Sequence, residues 1–156
     1  MEFRDLLSVV RYAGHWHLDR ALKLAGIEIL MYASLPGDLY DILAEPYGLM
    51  LRGIGREWEL WLKAHLLGHR LLHVGNQLEM PPPWVDWQER QAEVFAGYLI
   101  FGEPADLYDG AIVTVRGVAM AAHVPMECVR RWWRYTGAHI IDEPRYRRAR
   151  YAHWSR

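Results

Sequence analysis

The chain has 156 residues, 52% of them hydrophobic and 24% charged, with a formal net charge of −1. That is one domain's worth of sequence, long enough to bury a core and too apolar to stay disordered. The near-neutral total excludes a partner chosen by bulk charge, the single cysteine (Cys128) excludes an internal disulfide and fits a reducing cytosol, and no apolar run reaches a membrane span or a signal-peptide core.

In chain order, residues 3–25 repeat apolar positions at helical spacing, with Gly14 as a break and Gly26 as the stop. IEILMYA (27–33) is short and apolar and predicts a strand. SLPGDLYDILAEP (34–46) reads as turns, YGLMLRG (47–53) as a second strand, and Gly53 with Gly55 as a turn. REWELWLKAHLLGHRLLHVG (56–75) predicts one long helix, with Leu60, Leu67 and Leu71 at helical spacing and Gly75 as its cap. MPPPW (80–84) predicts a rigid loop that is not helical. Residues 87–101 predict a helix with Ala92, Phe95, Ala96 and Leu99 on one face, and GEPADLYDG (102–110) predicts a loop. Two shorter helices follow, near 113–122 and 125–136. The sum is one α+β domain over 1–156, mostly helical, with its core in 20–136 and an Arg-rich tail in 138–156.

The last two predicted helices form their own pattern. Val118, Ala119 and Ala122 make an apolar stripe, His123-Val124 a turn, and Pro125 suits a first helical position. Val129 and Trp133 are expected to face inward, and Arg130, Arg131 and Arg134 outward. The pair has the shape of a helix-turn-helix, which either completes the fold or offers those arginines to nucleic acid or a protein partner. From Arg116 onward nine arginines stand against three acids, net +6, which leaves −7 for the first 115 residues. That acidic majority argues against a purely DNA-binding protein.

The densest chemistry lies in HLLGHRLLH (65–73). Residues four apart share a helix face, so His65 and His69 can point at one ion, the spacing of the histidines in H-E-x-x-H. A third ligand would come from a later helix. Glu89 lies twenty residues past His69, and Glu93, one turn on, competes with it. The plainer reading is a metal-free, hydrogen-bonded histidine pair on a partly buried helix.

AHLLGHRLLHVGNQ (64–77) followed by ERQAEVFAGYLIF (89–101) resembles the ImmA/IrrE-type zinc metallopeptidases, whose helices read close to A-H-E-L-G-H-x-L-L-H and E-x-x-A-x-x-F-A-x-x-L-L. GIEILMYASLPGDLYDILAEPYGLML (26–51) resembles the small sheet that precedes the metal helix in that family. The resemblance covers roughly residues 20–136. It implies a zincin-like metallopeptidase domain with a small antiparallel sheet and a helix-turn-helix-like C-terminal pair. It implies zinc as the cofactor, His65 and His69 as ligands, and Glu89 as the third, acidic ligand. His73 matches a histidine common in the family and is expected to cap or pack.

The departure is at position 66, where the family has glutamate and this chain has Leu66. That glutamate does not ligate the ion; it moves the proton of the attacking water, a contribution of about 10²–10⁴-fold. Leucine can do neither half of that transfer. Glu57 and Glu59 lie too far back along the helix to replace it. The expected function is therefore a metallopeptidase-fold protein impaired in catalysis, which acts as a binding or regulatory protein. Its expected partner is a protein such as the transcriptional repressors that active family members cleave. The alternatives are an active zinc endopeptidase with another base, and a DNA-binding protein using residues 115–137. Leu66→Glu is expected to recover some hydrolysis.

Overall fold

The computed structural model describes residues 14–73, 79–102 and 114–136. The predicted helix over 3–13, the cap at Gly75, the loop after Gly102 and the tail at 138–156 lie outside them.

Helix α1 is described over Gly14–Leu24, and Gly14, which the sequence suggests as a break within a longer helix, is the first described residue. The helix stops at Gly26, whose φ of 78° is the left-handed conformation that glycine adopts without a Cβ penalty. The N–H of Ile27 bonds the carbonyl of Leu22 at 2.9 Å, and the N–H of Gly26 bonds that of Lys23 at 3.1 Å. These two bonds close the helix as a Schellman motif and aim the chain directly into a strand.

Three strands follow, β1 (Glu28–Tyr32), β2 (Asp41–Ala44) and β3 (Tyr47–Leu51), in the order β1-β3-β2. β1 runs parallel to β3, with Leu30 opposite Leu49, and β2 runs antiparallel to β3, with Ile42 opposite Leu49. The sheet is therefore mixed and not antiparallel as expected. β2 was read as turns. Its four residues, two of them buried, form a hairpin with β3 across Glu45 and Pro46. Pro36 and Gly37 shape only the chain before it, in a single 3₁₀ turn at Pro36–Asp38.

Helix α2 (Arg56–Leu72) lies on the sheet and on α3 (Pro82–Phe101). The stretch expected to be a proline loop instead supplies the start of α3. Pro82 and Pro83 sit in the first turn, where a missing N–H costs nothing because those donors have no partner within the helix. α2 and α3 run antiparallel: Trp61 meets Phe101 at one end, and Gly68 meets Ala92 and Phe95 at the other. Glycine lets the two backbones close in, since a Cβ on Gly68 would lie 2.9 Å from Phe95 Cδ1. Ala92, Phe95, Ala96 and Leu99 are all buried, as their spacing predicts.

Helices α4 (Val115–Ala122) and α5 (Met126–Thr136) close the core. Thr114 caps α4 by accepting the N–H of Gly117 at 2.9 Å, and His123 ends it with φ of 56°. Pro125 stands just before α5 rather than at its first position. Val129 faces inward as expected, but its buried companion is Trp132, not Trp133, which is half-buried. Trp132 lies flat over Gly97 of α3, the only residue type that leaves room for its indole there. Its ring also meets Phe101 edge-on at 5.0 Å.

Candidate metal centre

Residue 65 is carried to the site by a helix anchored at both flanks. Lys63 pairs with Asp19 of α1 at 2.7 Å, and Arg70 donates to the carbonyl of Ala25 at 3.1 Å. One turn of α2 then stacks His65 under His69, with ring centroids 4.6 Å apart, and both side chains are buried. Glu89 reaches across from α3. Its Oε2 is 3.1 Å from His65 Nε2, and its Oε1 is 3.1 Å from His69 Nε2. The three predicted ligand residues thus converge and form a group able to hold a metal ion, their ligand atoms all within 4.8 Å of one another. Glu93, the competing third ligand, turns to Arg131 instead, 3.2 Å from its guanidinium.

The outer atoms of both imidazoles are fixed by further side chains. His65 Nδ1 is 2.8 Å from Asp41 Oδ2 on the edge strand β2. His69 Nδ1 is 3.0 Å from His73 Nδ1, and His73 Nε2 is 2.8 Å from Gln91 Oε1. Hydrogen-bond polarity along this chain can be worked out from its ends. The Gln91 oxygen accepts, so His73 donates from Nε2. Burial lowers the pKa of His73, and the neutral ring then accepts at Nδ1 from His69. In that polarity His69 Nε2 faces Glu89 as a lone pair ready for an ion; in the reverse polarity, with the Gln91 amide turned over, His69 donates its Nε2–H to Glu89 at 3.1 Å. On the other side Asp41 takes the Nδ1 proton of His65, and the buried His65 Nε2 has no hydrogen-bond partner: Glu89 is near but off the line that such a bond needs.

A carboxylate 3.1 Å from two imidazole nitrogens is satisfied either by N–H protons on them or by a cation held among them. Ligand atoms around a tetrahedral zinc at about 2.1 Å stand roughly 3.4 Å apart, close to that spacing. The donor set and its carboxylate–histidine support therefore fit a small divalent cation such as zinc. The same demand shows in the titration of the groups. Burial opposes charge on His65, yet the carboxylates of Asp41 and Glu89 outweigh it and hold its pKa well above the usual value. Burial also opposes ionised Glu89, but the two imidazoles hold its pKa far below the usual carboxylate range. Burial and the charge of His65 together push His69 down. Asp41 and Glu89 ask for one positive charge between them, and either a proton on His65 or a bound cation supplies it.

Leu66 points away from all of this. It is fully buried, and its Cδ1 lies over Gly48 of β3, 3.0 Å from where a Cβ there would stand. Beside the histidines opens a cleft of about 290 Å³, lined in part by Asp41, Trp58, His65, Glu89, Glu93 and Arg131. Glu93 is its buried carboxylate. Burial raises the pKa of Glu93 against the pull of His65, Arg131 and the nearby Trp61 indole, and no donor meets its Oε2 in good hydrogen-bond geometry. Arg131 was expected to face outward with Arg130 and Arg134. It is half-buried instead, 5.9 Å over the Trp58 ring and bonded to Glu93, because that acid would otherwise be buried uncompensated. Arg134 is exposed as expected, and Arg130 is half-buried.

The spacing in the sequence brings His65, His69 and Glu89 together as candidate ligands but does not show what supports them. Asp41 sat in a stretch read as turns, although its hydrophobic run before Glu45-Pro46 and a second strand is a hairpin signal. His73 does more than cap or pack: it joins His69 to Gln91. Among the described residues no helix is long and apolar enough to cross a membrane. Compared with protein-family models, curated proteins and solved structures, the chain matches none, so the geometry of the site carries the functional argument.

Proposed function

We propose that this chain is a metal-binding, catalytically silent protein built on a zincin-like domain of the ImmA/IrrE type, and that it acts by binding a partner rather than by cutting one. The observation that carries this reading is a contrast on one helix. His65 and His69 converge on Glu89 with their outer nitrogens held, while Leu66 between them is sealed against the sheet. Zinc held by His65, His69 and Glu89 would supply Lewis acidity to a carbonyl or a water. Asp41 and the His73–Gln91 relay orient the two imidazoles toward it. Residue 66 moves no proton, because it has none to move and does not reach the cleft. A metal centre retained without its base is suited to stabilising a fold or a binding surface, with a transcriptional repressor as the kind of partner the family resemblance implies. The paired α4 and α5 then serve as the helix-turn-helix-like end of the domain. Arg131, spent on Glu93, argues for that structural role over DNA contact.

One observation favours a second reading, a working endopeptidase with a relocated base. Glu93 lines the same cleft, is buried, and has one oxygen that no donor meets in good hydrogen-bond geometry. Its other oxygen is tied to Arg131, which restrains it from following a proton.

The two readings separate in one experiment. Purified protein is analysed for metal by elemental analysis, titrated with zinc, and assayed against peptides and repressor proteins. The expected result is about one zinc per chain, abolished by His65→Ala or Glu89→Ala, and no cleavage with or without zinc. Zinc-dependent cleavage that disappears in Glu93→Gln would establish the second reading. Failure to bind any divalent cation would sink both.

A further inference from the structure

On the side of α3 away from the cleft, Trp87, Arg90, Val94 and Tyr98 follow one another at helical spacing and face Arg134 and Tyr135 of α5. Between them runs a groove of about 610 Å³, within the size range of sites that hold ligands. Leu72, Gln91 and the buried Phe95 also line it. The aromatic rim is open to solvent: Trp87 is 51% exposed and its edge-on neighbour Trp84 is 60% exposed. Arg90 lies over the ring of Tyr135 at 5.7 Å and splints the two walls together.

We propose that this groove docks an acidic, amphipathic segment of a partner protein. The groove takes the binding role proposed above and gives it a place, without depending on the metal. Three features fix the chemistry of the occupant. The lining is mainly apolar and aromatic with arginine, the composition that concentrates binding energy in protein interfaces. The stripe at 87, 90, 94 and 98 presents anchor positions at helical spacing, which match a helix laid in a groove with its own apolar residues down. The charged groups that line it are Arg90 and Arg134, with no acid among the lining residues, so an occupant bearing Asp or Glu at its edges is favoured and a basic one repelled. The chain's own C-terminal tail, with five arginines and two acids in 138–156, has the wrong sign to lie there. Nucleic acid is disfavoured by the −7 charge of the first 115 residues, which repels a phosphate backbone more than a segment with a few acids.

The test pans a random-peptide phage library on the full-length protein, with Trp87→Ala/Arg134→Glu as a parallel bait. Both substituted side chains are exposed, so the fold should hold, and circular dichroism checks it. The selected peptides should carry Asp or Glu around Leu, Phe or Trp at helical spacing. Made synthetically, they should bind at least about 10-fold more weakly to the double variant, to Arg90→Glu, and after their acids are changed to lysine. Unchanged zinc affinity in Arg90→Glu separates this result from the fate of the metal centre; Trp87 is read for peptide binding only, because its ring lies 6.1 Å from that of His73. No enrichment over the variant bait, or selection of basic peptides, would overturn the proposal. So would groove-dependent binding of labelled oligo-dT, or dimerisation lost in the double variant, since each assigns the groove to another occupant.

Discussion

Introducing Leu66→Glu puts back the side chain that the H-E-x-x-H pattern has, and the structure predicts that it unfolds the protein rather than reviving it. Leu66 is fully buried, between α2 and the sheet at Gly48. Removing a buried leucine from its packing costs about 1.5–3 kcal/mol. The carboxyl then faces an apolar surface and must stay protonated. Holding a glutamic acid of ordinary pKa about 4.3 in its neutral form near pH 7 costs roughly 2.7 pH units, or about 3.7 kcal/mol. The sum, about 5–7 kcal/mol, rivals the whole stability of an ordinary domain. The sign with pH follows from the raised folded pKa. Below the unfolded pKa both states are protonated and only the packing loss remains. As pH climbs from there, the unfolded chain releases its proton first, and stability falls until the folded pKa is passed. Urea unfolding between pH 4 and 8 should therefore show a deficit that grows with pH in Leu66→Glu. Leu66→Gln should show a deficit that does not, and Leu66→Met should stay within about 1.5 kcal/mol of the parent. A Leu66→Glu protein as stable as the parent at neutral pH, and cleaving peptides with zinc, would show that residue 66 reaches the cleft and refute the reasoning.

The support of the two imidazoles is measurable apart from catalysis. Asp41→Asn and His73→Phe leave all three ligand residues in place, and each should weaken zinc binding about 10–100-fold in a chelator competition; undiminished affinity in both would mean that the outer contacts do not orient the ligands. The affinity of the parent should itself fall as pH drops, because a proton on His65 competes for the charge that Asp41 and Glu89 favour. Away from the site, Gly97→Ala would bring a Cβ to 1.9 Å from Trp132 Cδ1. It should cost at least about 1–3 kcal/mol by overpacking, although alanine is the better helix former by about 1 kcal/mol, and a gain in melting temperature would contradict the packing described.

What could be read from the sequence was whatever depends on a single element. Helical spacing places His65 and His69 on one face whatever α2 packs against, and it selects Ala92, Phe95, Ala96 and Leu99 as the buried stripe of α3. What escaped depends on how elements meet. Periodicity did not decide between Trp132 and Trp133, since the choice is made by the space above Gly97 on another helix. The arginines of α5 read as a solvated face until Glu93, buried on α3, drew Arg131 inward. A short strand such as β2 has too few residues for its period to declare it, and the hairpin with β3 supplies what propensity does not.

The same distinction bears on how the metal centre was legible at all. A motif records the groups that would touch an ion, so the three candidate ligand residues were visible from spacing and resemblance. The groups that would hold those side chains have looser demands: any acceptor in reach of His65 Nδ1 would serve, and Asp41 is where β2 begins beside α2. Position 66 carries the opposite lesson. A leucine there is more than a missing glutamate, because it fills the gap over Gly48 with apolar contact. Leu66 packs against Gly48, so an apolar side chain at this position contributes to the stability of the fold, and a carboxylate placed there would need the sheet at Gly48 to change along with residue 66.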